Sequence, residues 1–168
     1  MDVVVLTKDK PKYIKERLLE TNSRFYLKDG INGPYTVLWY SFSWKPRVHC
    51  KVDILVPPEL RIPNIILSSI AYCGDSLIPV MPFLPLLILK VQGWSDHRKS
   101  HEERFQVKVP QDEEDITDLL SMLDSRDHLK RFGWLPRWFL RNANDLIQEY
   151  VECFPETESE WRYIGFDV

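Results

Sequence analysis

The sequence predicts an α/β fold of the α+β kind: a small mixed β-sheet flanked by helices, then a mainly helical C-terminal half. Three observations predict it. Short β-rich runs crowd residues 2–57 and are interrupted by one helix-like stretch. From residue 82 onward apolar residues recur with the helical period. At 168 residues, 44% apolar and 12% aromatic, the chain suits one folded domain rather than a disordered segment. A domain of that size buries roughly 70% of the surface its unfolded chain exposes. The expected organisation is therefore a single domain, 1–168, with a sheet-rich part at 1–57 and a helical part at 58–168.

Asp2-Val3-Val4-Val5-Leu6 is short and β-branched and reads as a buried strand. Thr7 to Glu20 reads as a helix. Thr7 or Asp9 can cap it, Pro11 fits its first turn, and Ile14, Leu18 and Leu19 form its apolar stripe. Arg24-Phe25-Tyr26-Leu27 and Tyr35 to Tyr40 flank the turn-rich Asp29 to Pro34, the pattern of a hairpin. Trp44-Lys45-Pro46 turns the chain into a further strand, His49 to Pro57, and Pro57-Pro58 ends that sheet segment.

Residues 57–81 read as irregular, with a short apolar piece at Ile62 to Leu67. Pro82 or Pro85 opens the next helix, whose stripe Leu84, Leu87, Ile88 and Val91 faces a core. A second stripe holds Lys90, Trp94, His97 and His101, provided the helix runs through Gly93. Asp112 to Leu123 is the clearest helix. Asp112 can cap it, and Ile116, Leu119, Leu120 and Leu123 form its seam. A charged connector, Asp124 to Gly133, leads to a long helix from Leu135 to Cys153. The tail from Glu156 is acidic and then aromatic, and Trp161, Tyr163 and Phe166 are expected to dock on the body. The Trp134 to Trp138 segment reads as core in the same way. If exposed, these aromatic stretches would offer a surface to a protein partner.

Net charge is −3 with no basic block, which argues against nucleic-acid binding by charge alone. Cys50, Cys73 and Cys153 match neither a disulfide framework nor a zinc motif, so reduced thiols and a cytoplasmic location are expected. Leu77 to Leu89 is apolar, but a membrane helix needs about 20 residues. The start at Met1-Asp2-Val3 lacks the features of a signal peptide.

The residue that most demands an explanation is Asp53. In His49 to Pro57, Val52, Ile54 and Val56 share one face, while Lys51, Asp53 and Leu55 share the other. A carboxylate inside an apolar run needs a partner: Lys51, Lys90, a donor cluster or a metal ion. Asp2 is a second candidate ligand, set against the alternative of a frayed terminal residue. Lys90 is either a site cation or a snorkelling lysine. His97 and His101 are four apart, but no Cys or third His stands at a matching spacing, so a solvated helix face is expected. Asp115 and Asp118 read as helix acids.

Three pieces, in this order, resemble the nucleotidyltransferase superfamily of polymerase-β-like enzymes. They look most like its small antibiotic-modifying and toxin–antitoxin members. Asp2-Val3-Val4-Val5 is similar to the second half of the family's double-Asp strand, and Val52-Asp53-Ile54-Leu55 to the later strand with the third carboxylate. Leu86 to Arg98, then Lys108 and Asp115 to Leu120, is similar to a helix with Lys and Arg followed by an Asp-rich helix. The overlap spans roughly residues 1–123.

The resemblance implies Mg²⁺ held by Asp2 and Asp53, with Lys90 as a phosphate partner. It implies transfer of a nucleoside monophosphate from a nucleoside triphosphate to an unidentified acceptor hydroxyl. The family's first Asp would fall one position before Met1, and its Gly-rich turn further upstream. That implies an N-terminally truncated member with impaired activity, or a non-catalytic descendant that binds a partner.

Overall fold

A computed structural model describes residues 1–30, 33–42, 47–75 and 77–168. The expected turn at Trp44-Lys45-Pro46 and the tip of the 29–34 loop lie outside the described residues. The chain divides into two compact units, Met1–Asn64 and Ile65–Val168.

The first unit is a four-stranded mixed sheet with one helix. Strands β1 (Asp2–Val4), β2 (Phe25–Asp29), β3 (Thr36–Ser41) and β4 (His49–Leu55) lie in the order β1-β4-β3-β2, with α1 (Pro11–Thr21) between β1 and β2 in sequence. The hairpin β2–β3 and the antiparallel pair β3–β4 follow the sequence pattern. Strand β1 pairs with β4 in parallel, which a connection through α1 permits. Leu38, Val52, Ile54 and Val56 are buried, and Ile14, Leu18 and Leu19 of α1 pack against them. The period-two reading of 52, 54 and 56 therefore holds.

Two details differ from the sequence reading. Strand β1 is an edge strand with no fully buried residue, because only β4 flanks it. Helix α1 starts at Pro11 with Lys10 as N-cap and no side-chain cap. The Thr7 hydroxyl instead accepts from the Asp9 N–H, at 3.1 Å, in the turn before it.

The second unit is mainly helical. It contains α2 (Phe83–Lys99), α3 (Glu103–Gln106), α4 (Val109–Ser121), α5 (Arg137–Cys153) and α6 (Glu158–Ile164). Leu84, Leu87, Ile88 and Val91 of α2 are fully buried, as their spacing predicts. They join Ile116, Leu120, Phe139, Ile147 and Trp161 in one core. Trp161 and Phe166 dock as expected, but Tyr163 is 54% exposed, because it points off α6 away from the buried Trp161–Ile164 edge. In the Trp134 to Trp138 segment Leu135 is buried, whereas Trp138 is 42% exposed. Gly165 closes α6 at φ 103°, where a Cβ would also lie 2.9 Å from His128 Cε1.

Residues 57–81 are less irregular than expected. They include a small hairpin, β5 (Ala71–Cys73) with β6 (Ile78–Val80), exposed throughout its strands. Helix α4 begins at Val109 after Lys108, with Pro110 in its first turn, so Asp112 is not its cap. Helix α5 starts two residues later than Leu135, with Pro136 as its N-cap. Among the described residues no helix is long and apolar enough to cross a membrane. The three cysteines are free.

Candidate functional site

The parallel pairing of β1 with β4 sets Asp2 opposite Asp53. Two backbone bonds bracket that register: Asp53 N–H donates to Met1 C=O at 2.9 Å, and Val5 N–H to Leu55 C=O at 2.8 Å. Residues opposite each other across a ladder share a face. Val3 and Ile54, the next pair along the ladder, pack into the core on the α1 side. Asp2 and Asp53 therefore lie together on the other face, although they are far apart in sequence.

Asp53 is not the buried charge its apolar neighbours suggest. Its side chain is 38% exposed, and its Oδ2 lies 2.8 Å from Lys51 Nζ. Lys51 is two residues away on the same strand face, one of the two lysine partners weighed from the sequence. Asp2 is exposed.

Lys90 belongs to the second unit, where the stripe it heads is a polar seam between α2 and α4. Lys90 Nζ lies 2.5 Å from Asp115 Oδ2, Trp94 Nε1 donates to Glu113 Oε1 at 3.2 Å, and His97 Nδ1 lies 2.6 Å from Asp112 Oδ2. The Lys90 ammonium holds the Asp115 carboxyl below its ordinary value. His97 is thus half-buried and paired, with Phe105 stacked on its ring at 5.5 Å, and is not on a solvated face. His101 falls beyond the end of α2. Lys90 is engaged by Asp115, and the acids of α4 serve as its neighbours' partners across the seam.

A parallel set of contacts joins α2 to α5 at Glu149. Ser95 Oγ donates to it at 3.0 Å, Arg98 Nη1 at 3.3 Å and Lys99 Nζ at 2.6 Å. Burial works to raise the Glu149 carboxyl, but Lys99, Ser95 and Arg98 outweigh it and hold it below its ordinary value of 4.5. A carboxyl depressed on folding adds stability above its unfolded pKa, and that stability is lost as pH falls through the folded value. Glu149→Gln is expected to cost about 1–2 kcal/mol at neutral pH, since a neutral amide oxygen accepts more weakly than a carboxylate and leaves Arg98 and Lys99 without their counter-charge. Urea titrations across the acidic range should show the variant losing less stability than the parent below pH 4.5.

The resemblance implies Mg²⁺ at Asp2 and Asp53, and the donor set there bears on that expectation. Among the described residues no three His, Cys, Asp or Glu side chains converge on one point. A two-metal carboxylate cage is therefore not formed by them. Mg²⁺, however, keeps several waters and binds through one or two carboxylates plus substrate phosphates. Two adjacent carboxylates fit one such cation arriving with a triphosphate, and Lys51 is the group it would displace from Asp53.

No protein-family model matches the chain. No curated protein matches it. A solved crystal structure of an antigenic nucleotidyltransferase-like protein from Paracoccidioides brasiliensis superposes with a TM-score of 0.61, over 96% of this chain and 73% of that one, at 12% identity. At that identity the likeness concerns the fold: this chain has a mixed α/β, nucleotidyltransferase-like architecture.

Proposed function

We propose that the chain binds a magnesium nucleoside triphosphate at Asp2 and Asp53 and passes the nucleoside monophosphate to an acceptor hydroxyl. The observation that carries this reading is the in-register placement of Asp2 beside Asp53 on one sheet face of a nucleotidyltransferase-like fold. Asp2 and Asp53 would hold the cation. Bound there, Mg²⁺ supplies charge for the oxygens of an in-line displacement. Lys51, released from Asp53, becomes a point charge for phosphate. Lys90 is held by Asp115 and takes no part in this reading.

A second reading is a non-catalytic protein of the same fold that acts through a partner. It is favoured by the Lys51–Asp53 pair, which satisfies the carboxylate without a metal. Calorimetry separates the two. The first reading expects heat with Mg·ATP and an affinity at least about tenfold lower in Asp53→Asn. Pyrophosphate release on adding an acceptor then tests transfer. If Mg·ATP gives no heat, the nucleotide reading fails.

A further inference from the structure

The face that carries Asp2 and Asp53 also carries an aromatic row. Tyr26 of β2 pairs with Trp39 of β3, and Trp39 pairs with Lys51 of β4. Leu27, Leu38 and Val52 form the neighbouring row, whose Leu38 and Val52 are buried on the α1 side. Tyr26, Trp39 and Lys51 therefore point the opposite way, toward the carboxylate face. Strand β3 spends Leu38 and Tyr40 on the core and leaves its largest side chain, Trp39, half-buried on the other face.

The surroundings of Trp39 have the parts a nucleotide needs. Lys28 Nζ lies 4.9 Å from the Trp39 ring centre and 5.6 Å from that of Tyr26. The Tyr26 hydroxyl meets His49 Nδ1 at 2.9 Å, which fixes the Tyr26 ring. Asp53 lies one strand over and two residues along from Trp39, roughly 8 Å by sheet geometry. A ribose and phosphate chain bridges that distance. Aromatic surface, two ammonium groups and two carboxylates thus follow one another across a single face.

We propose that Trp39 is the platform on which the nucleotide base stacks, an inference that rests on the nucleotide reading above and names the half of the ligand that Asp2 and Asp53 do not hold. In the free protein each lysine is occupied, Lys28 over the rings and Lys51 on Asp53. A base stacked on Trp39 displaces Lys28, because base–aromatic stacking outweighs an exposed cation–π contact. A cation at Asp53 displaces Lys51. The two ends of one ligand then free the two ammonium groups that face its phosphates. No bond is made or broken in this step.

Calorimetry with Mg·ATP and with Mg·tripolyphosphate, which has the phosphates but no base, tests the platform. The parent is expected to bind Mg·ATP about tenfold or more tighter than Mg·tripolyphosphate. Trp39→Ala should remove that difference while leaving tripolyphosphate affinity unchanged, and Trp39→Phe should keep most of it. Asp53→Asn should weaken both ligands. Equal affinities in the parent, or a preference for ATP that survives Trp39→Ala, overturn the platform and leave the Asp2–Asp53 reading intact. If neither ligand binds, the nucleotide reading itself fails. Trp39→Leu, which keeps an apolar side chain but no ring to stack on, should lose the difference as well and decides the matter even if Trp39→Ala does not fold.

Discussion

Trp94→Ala is expected to lower the stability of the helical unit by about 3–5 kcal/mol, the range for truncating a buried aromatic side chain to alanine. Trp94 is 1% exposed in the middle of α2. Its ring meets Tyr150 edge-on at 5.0 Å and Phe154 at 6.1 Å, so it fills the space between α2 and the end of α5. Its Nε1 is also the middle rung of the seam with α4, through Glu113. Truncation opens a cavity among rigid rings and leaves Glu113 without its donor. The Arg98 guanidinium, 5.2 Å over the same ring, loses its platform as well. Equilibrium urea unfolding followed by circular dichroism measures the loss. Trp138→Ala is the control: that ring is exposed, and its removal should cost within about 1 kcal/mol. Similar losses for the two variants would contradict the packing described for α2.

Leu38→Ala is the second large effect, expected at about 2–5 kcal/mol in the sheet unit. Leu38 has no exposed surface and sits at the centre of β3, between β2 and β4. Among the described residues that cluster has four buried members, Leu38, Val52, Ile54 and Val56. A core so small has few neighbours able to close over a void, and one lost leucine is a large share of a small domain's margin. Amide hydrogen exchange on β3 and β4 should report the change, with protection falling there by the corresponding factor. Leu27→Ala, on the outer strand and more exposed, should have much less effect. If Leu38→Ala leaves β3 protection unchanged, the sheet is not held by the α1-facing row.

Much of the fold is legible because it depends on near neighbours in sequence. The β-rich runs around 25–40 form a hairpin, and Val52, Ile54 and Val56 share a face because period two leaves them no other choice. The stripe of Leu84, Leu87, Ile88 and Val91 is buried because 3.6 residues per turn puts those side chains on one side of a helix. Sequence and structure part where two local signals compete. Asp112 has the chemistry of a helix cap, but Pro110 lets the helix begin earlier, and Asp112 is used by His97 instead. The β5–β6 hairpin is not legible in the sequence because its strands are only three residues long and one contains proline.

The candidate site shows the same division. Asp53 is recognisable in the sequence as a charge that needs a partner, and Lys51 is visible two residues away. The sequence alone determined the sheet-then-helix order, the core stripes and the face on which Asp53 lies. Only the tertiary structure decided what meets across elements: Asp2 beside Asp53, Trp39 in a row with Lys51, Lys90 on Asp115 and three donors on Glu149. The reason is physical. Side-chain direction within an element follows from its own backbone period, whereas strand order, register and helix neighbours follow from how the whole chain buries its apolar surface.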